Sequence, residues 1–140
     1  MMLQCIRSTW AKQILKPQDI AGVIREILNS EDQIDQDKEH LWTIGLNAAH
    51  CIKYVDLVAL GVVDRCLVHC REIFRRAVHK GISALIVVHN HPSNQPEPST
   101  ADKEIIYKIK VSGELLGIEL LDAVIVATDS HYSFAEDVWN

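Results

Sequence analysis

The 140 residues contain no apolar run near the roughly 18 residues that a membrane-spanning helix requires, so a membrane protein is not expected. Cysteine is scarce: Cys5, Cys51, Cys66 and Cys70 form no C-x-x-C pair. The N-terminal MMLQCIRSTWAKQILKP is broken by Gln, Arg, Ser and Lys before an apolar run reaches signal-peptide length. Scattered thiols without an export signal are expected to be reduced and mostly buried, which points to the cytoplasm. A metal cluster of Cys66, His69 and Cys70 is a weaker reading than small residues at a strand-to-helix junction. Positive charge is also in short supply. Fourteen Lys+Arg against nineteen Asp+Glu give a net charge of −5. That weighs against a stand-alone nucleic-acid binder, because Lys and Arg supply the phosphate contacts. Internal repeats and low-complexity segments are absent.

What is present suits one globular domain, with 48% hydrophobic and 24% charged residues. At this length about two thirds of the unfolded surface disappears on folding, so neither a disulfide nor a structural metal is needed to hold the core. A metal would be there for chemistry. The oddities are seven His and four Pro: His89 and His91 sit side by side, and Pro92, Pro96 and Pro98 follow directly.

Ile20, Val23, Ile24, Ile27 and Leu28 recur at helical spacing, so residues 17 to 29 are expected to form a helix started by Pro17 and Asp19. Residues 30 to 38 (SEDQIDQDK) are acidic, without apolar period, and read as a loop. Residues 41 to 46 and 52 to 60 read as strands joined by a turn at 47 to 50, a hairpin because the connection is short. Ile73, Phe74, Ala77 and Val78 mark one face of a helix over about 70 to 80, stopped by Gly81. The run SALIVV at 83 to 88 fits a central strand buried on both faces and ending at His89. A helix over 100 to 116 is expected to bury Ile105, Ile106, Ile109 and Leu116, with strands at 120 to 127 and 131 to 134 after it. The order α-β-β-α-β-α-β-β predicts an α/β layered domain, a mixed β-sheet flanked by helices.

The segment VVHNHPSNQPEPSTAD holds His89-x-His91, then Ser99 eight residues on, then Asp102 three further. Side chains at i and i+2 of a strand share a side, about 6.6 Å apart at the backbone. Two imidazoles there can converge on one ion, each at about 2.0–2.1 Å. Crevices form where strands of an open α/β sheet end, and a loop stiffened by three prolines can return Asp102, in the first turn of the next helix, to the imidazoles. Two histidines and an aspartate with one open position are the pattern of a catalytic zinc. Other readings compete. Ser99-x-x-Asp102 resembles a capping box, and a His pair by itself is more often solvated or hydrogen-bonded than ligating. Neither explains why pair, proline loop and carboxylate concur within fourteen residues. The letters H-N-H do not indicate a nuclease, whose metal and base residues are spread through a separate ββα unit. His40, His50, His69, His79 and His131 read as surface or turn residues.

His89-x-His91-Pro92, seven residues to Ser99 and two more to Asp102 resemble the JAMM signature of the JAB/MPN metalloprotease superfamily. The wider text (ALIVVHNHPSN, PEPSTAD, CREIFRRAV, LLGIELLDAVIV, YSFAE) is similar to its RadC-like branch over about residues 38 to 137. The resemblance implies an α-β-α sandwich of the cytidine-deaminase-like kind for the domain at 38–140; residues 1–37, read from their own periodicity and charge, are expected to form an N-terminal helix and acidic loop packed on it in one globular unit. It implies one Zn2+ per chain held by His89, His91 and Asp102, with water as fourth ligand. It also implies an upstream Glu as general base and acid near the start of the first core strand, where Glu39 is the match. Glu72 is the rival, although at a helix start it suits the dipole. Ser99 is implied to donate a hydrogen bond to the tetrahedral oxyanion. Two positions depart from the branch. Asn94 replaces the usual Gly after His-Pro-Ser, and Asn tolerates positive φ. Ala123 replaces the usual His after Leu-Leu-Asp, which leaves the ligand set intact and bears on full activity.

The first functional reading is therefore a zinc-dependent hydrolase, a metallopeptidase or isopeptidase acting on a peptide or isopeptide substrate. The alternatives are a DNA-repair-associated factor, the role from which the RadC label descends, and a catalytically silent zinc-binding interaction module. Arg71, Arg75, Arg76, His79 and Lys80 form a candidate basic patch, yet a solvated helix face is the better reading, and the net charge leans the same way.

Overall fold

Local chemistry sets the first helix. Asp19 Oδ2 accepts hydrogen bonds from the Leu15 and Lys16 amides at 3.0 and 3.1 Å. Pro17 stands at a position whose N–H would be unpaired anyway, and α1 runs Pro17–Ser30. The computed structural model describes residues 12–61 and 68–139; the readings placed on Cys5 and Cys66 lie outside the described residues. The acidic stretch after α1 is not all loop. One helical turn, α2 (Gln33–Gln36), forms because Asp32 Oδ1 accepts the Asp35 amide at 3.0 Å. It buries no residue, so it leaves no apolar period in the sequence.

Strands β1 (Glu39–Leu46) and β2 (Ile52–Gly61) pair antiparallel. Asn47 Oδ1 organises the turn between them, accepting the Ala49 and Cys51 amides, and His50 takes a φ of 62°. Gly45 faces Tyr54 across the pair, and a Cβ at 45 would lie 2.1 Å from the Tyr54 ring. The remaining elements are α3 (Cys70–Lys80), β3 (Ala84–Asn90), α4 (Thr100–Leu116), β4 (Glu119–Val126), β5 (His131–Ser133) and α5 (Phe134–Asp137). Three expectations need correction. β3 continues through His89 and Asn90, while His91 lies one residue beyond it. Leu116 is exposed, because Gly113 takes the inward place, where a Cβ would lie 2.5 Å from the Ile118 carbonyl oxygen and 3.3 Å from the Phe74 ring. Val78, at the edge of the α3 stripe, is exposed too.

The sheet order is β2-β1-β3-β4-β5; β3 and β4 run parallel and the other pairs antiparallel. This is the mixed sheet the sequence predicts. On one face, Ile20, Val23, Ile24 and Ile27 of α1 pack with Trp42, Ile44, Val88 and Val124. On the other, Ile73, Phe74, Ile105, Ile109 and Phe134 pack with Leu41, Val87 and Ile125. The result is an α-β-α sandwich. Strand periodicity then sorts the polar residues. Val87 and Leu41 face the α4 layer, so His89 and Glu39 face it as well; Val88 and Trp42 face α1, and so do Asn90 and His40.

Candidate metal centre

The site forms where β3 ends and the crossover to α4 leaves the sheet, the usual place for a crevice in such folds. His89 projects from the last pair of the β1–β3 ladder, opposite Leu41, with Ile125 of β4 on its other side. His91 has left the strand, but its N–H still donates to the Val126 carbonyl at 2.9 Å, which holds the two imidazoles in register. Their rings meet edge to face with centroids 5.0 Å apart. The proline segment then delivers Ser99 as the N-cap of α4. Ser99 Oγ accepts the Asp102 amide at 3.0 Å, and Asp102 Oδ2 accepts the Ser99 amide at 2.9 Å. The capping box is therefore real, and it does not compete with the metal reading: it is what aims Asp102. From that cap Asp102 sets Oδ1 3.2 Å from His89 Nδ1 and Oδ2 3.0 Å from His91 Nε2.

Hydrogen-bond bookkeeping shows what this arrangement needs. His91 Nδ1 lies 2.8 Å from the Gln95 carbonyl oxygen, which can only accept, so Nδ1 carries the hydrogen. In the neutral ring Nε2 then presents a lone pair to the Asp102 carboxylate. Two acceptors face each other, which is stable only with a positive species between them: a ring proton or a cation. His89 Nε2 is buried and has no hydrogen-bond partner among the described residues. Glu39 Oε2 is nearby at 4.0 Å, beyond hydrogen-bond reach. One donor atom from each of His89, His91 and Asp102 falls within 4.8 Å of the others, the one such group among the described residues. Two imidazole nitrogens and a carboxylate suit a divalent metal of borderline softness. Burial pushes the Asp102 carboxyl up, but the His89 contact and the hydrogen bonds from Ser99 together outweigh it and hold the group well below the usual carboxylate range. It is an anion ready for a cation.

All five sequence-predicted residues meet. Glu39, His89, His91, Ser99 and Asp102 line a single cleft. Glu72, the rival acid, is paired with Arg75 on α3. Ala123 is buried in β4 and lines a small apolar cavity whose wall includes His89 and Asp102, so the residue at this position touches the underside of the site. On the candidate basic patch, Arg76 pairs with Asp56 at 3.4 Å as Arg75 does with Glu72.

A model of the RadC-like JAB domain matches residues 14–139. The chain belongs to this family. It is thus a RadC-like member of the JAB/MPN superfamily, and the match includes α1. Among curated relatives of the RadC-like chain, a UPF0758 protein of Desulforudis audaxviator is 33% identical over 129 residues, covering 92% of this chain and 54% of that protein. A UPF0758 protein of Chlorobaculum parvum is 43% identical over 102 residues, covering 73% of this chain and 46% of that protein. The chain spans about half the length of the curated relatives it matches.

One sequence expectation about this RadC-like domain is corrected here. His40 is not a surface residue: it is completely buried, stacked on Trp42 at 4.7 Å, with Nε2 2.7 Å from Glu31 Oε2. Asn90, between the two histidines of the candidate donor set, is buried as well, and nothing in the sequence pattern singles it out. The signal that finds both is strand parity, since each lies one residue from a site residue and faces the opposite layer. No helix among the described residues is long and apolar enough to cross a membrane.

Proposed function

We propose that this chain is a zinc-dependent hydrolase of the metallopeptidase or isopeptidase type, working in the cytoplasm on a peptide or isopeptide bond. The observation that carries the reading is the cleft shared by the His89–His91–Asp102 donor set and the Glu39 carboxylate. His89, His91 and Asp102 would hold one zinc ion. When bound, zinc polarises the scissile carbonyl and brings the pKa of a water down to about 7. Glu39 Oε2, standing over His89 and partly open to solvent, takes a proton from the attacking water as its oxygen bonds to the carbonyl carbon. As the C–N bond breaks, Glu39 passes that proton to the leaving amine. Ser99 Oγ accepts the Asp102 amide and so keeps its own hydrogen to donate to the oxyanion.

The test pairs metal content with cleavage. Wild-type protein is expected to carry close to one zinc per chain, and His89→Ala and Asp102→Ala to lose most of it. Glu39→Gln is expected to retain zinc while hydrolysis of a peptide library, or of ubiquitin-like isopeptide conjugates, falls by about 10²–10⁴-fold. Folded, metal-free wild-type protein unaffected by the ligand changes would overturn the ligand assignment. Undiminished cleavage by Glu39→Gln would overturn the role of Glu39.

A further inference from the structure

The regular β1–β3 ladder stops at the pair Leu41–His89. One step further, a side chain takes over from the backbone. Asn90 Oδ1 accepts the His40 amide at 2.5 Å, and Asn90 Nδ2 donates to the Lys38 carbonyl at 3.1 Å. Those groups belong to the two peptide units on either side of the Glu39 Cα. The orientation of the carboxamide is fixed by its partners, because flipping it would set N–H against N–H and oxygen against oxygen. The His40 ring reinforces the same point: Nδ1 donates to the Lys38 carbonyl at 2.8 Å while Nε2 engages Glu31 at the end of α1.

We infer that Asn90 is a positioning residue for Glu39: its carboxamide clamps both peptide units flanking Glu39 to the strand that carries His89 and His91. The backbone of Asn90 joins the two metal-ligand histidines, and its side chain crosses to the opposite face to hold the carboxylate-bearing residue. One residue therefore sets the separation between ligands and base. Asn suits the task because a carboxamide offers an acceptor and a donor in one plane, the pattern of the missing backbone rung. Alanine offers neither; serine reaches one side only. The inference rests on the reading of Glu39 as the base, and its effect is expected on turnover more than on metal binding, since a misplacement of about 1 Å can cost about 10²-fold in rate.

The experiment uses 15N-labelled, zinc-loaded full chain as wild type, Asn90→Ala and the milder Asn90→Ser. Three quantities are read: zinc per chain, hydrogen exchange of the His40 amide relative to that of Ile44 deeper in β1, and kcat and KM on a cleaved peptide. The expected result is zinc near one per chain, His40 exchange faster by about tenfold or more against an unchanged Ile44, and kcat lowered by about 10–100-fold at nearly constant KM. Asn90→Ser should fall between the other two. A merely structural role would instead speed exchange throughout the strand and leave kcat per folded molecule intact. Unchanged exchange at His40, or unchanged kcat with faster exchange, overturns the proposal. If the wild-type chain cleaves nothing, the hydrolase reading fails, while local release of His40 with zinc retained still supports the clamp.

Discussion

Asp102 performs two jobs with one carboxylate, and the two can be separated by mutation. As the third residue of α4 it closes the capping box with Ser99; as a donor it faces both imidazoles. Asp102→Asn keeps an oxygen for the Ser99 amide but presents a neutral, weaker ligand. We therefore expect Asp102→Asn to lose zinc and the stabilisation that the ionised carboxylate gives the metal-free fold, while keeping the hydrogen bond from the Ser99 amide. Asp102→Ala should lose zinc and, beyond the effect of Asp102→Asn, about 0.5–1.5 kcal/mol of stability through the lost hydrogen bond from the Ser99 amide. Metal analysis together with urea unfolding of the metal-free proteins checks this; equal destabilisation by both changes would mean that the cap contributes nothing. The same economy applies to His91, whose Nδ1 hydrogen bond to Gln95 orients the ring and commits its other nitrogen to the site.

At the level of elements, β4 is tied to β5 and α5 by a buried carboxylate. Asp122 Oδ1 accepts the Ala123 and Ala135 amides at 2.7 and 3.0 Å, and Oδ2 accepts the Ser133 hydroxyl at 2.7 Å. Burial pushes this carboxyl above its ordinary value, and the three hydrogen bonds only partly oppose that. A group whose pKa is raised on folding stabilises most below its unfolded pKa of about 3.9, and that stability is lost as pH rises through the folded value. Asp122→Asn preserves two amide acceptances on its oxygen and has no charge to bury. Its stability relative to wild type should therefore increase as pH rises from about 4 towards neutrality, read as the difference in urea midpoints across that range. A difference that shrinks with pH would reverse the sign of the argument. Phe134, which this carboxylate helps to place, packs against the core beside the site.

Across the whole molecule, the donor set joins the end of β3 to the start of α4, so a bound metal ties two elements that unfolding separates. Zinc should then stabilise the fold by about 2.7 kcal/mol at a free concentration a hundredfold above Kd. Chelation is expected to lower the Tm of wild type and to leave that of His89→Ala unmoved, measured by calorimetry. Identical shifts in both proteins would place the metal elsewhere. Much of this molecule was legible in its sequence. Helices α1, α3 and α4 follow from apolar spacing and glycine stops, and the β1–β2 hairpin from its short polar turn. The donor residues stand out because they crowd into fourteen positions. The one-turn α2 leaves no mark in the sequence because an isolated turn capped by Asp32 buries nothing, and Leu116 fits the apolar spacing although Gly113, one turn earlier, takes the inward place beside Phe74. His40 looks solvated in the sequence because a polar residue at a strand start has no visible partner until the fold brings Glu31 and Asn90 to it. By itself, then, the sequence determined the periods, the caps and the chemical identity of the donor set, since these depend on neighbours within a turn or a strand. Only the tertiary structure decided that Glu39 stands over His89, and that Asn90 holds it there. Residues fifty positions apart meet through the register of β1 on β3, which the packing of both sheet faces sets and no local pattern encodes.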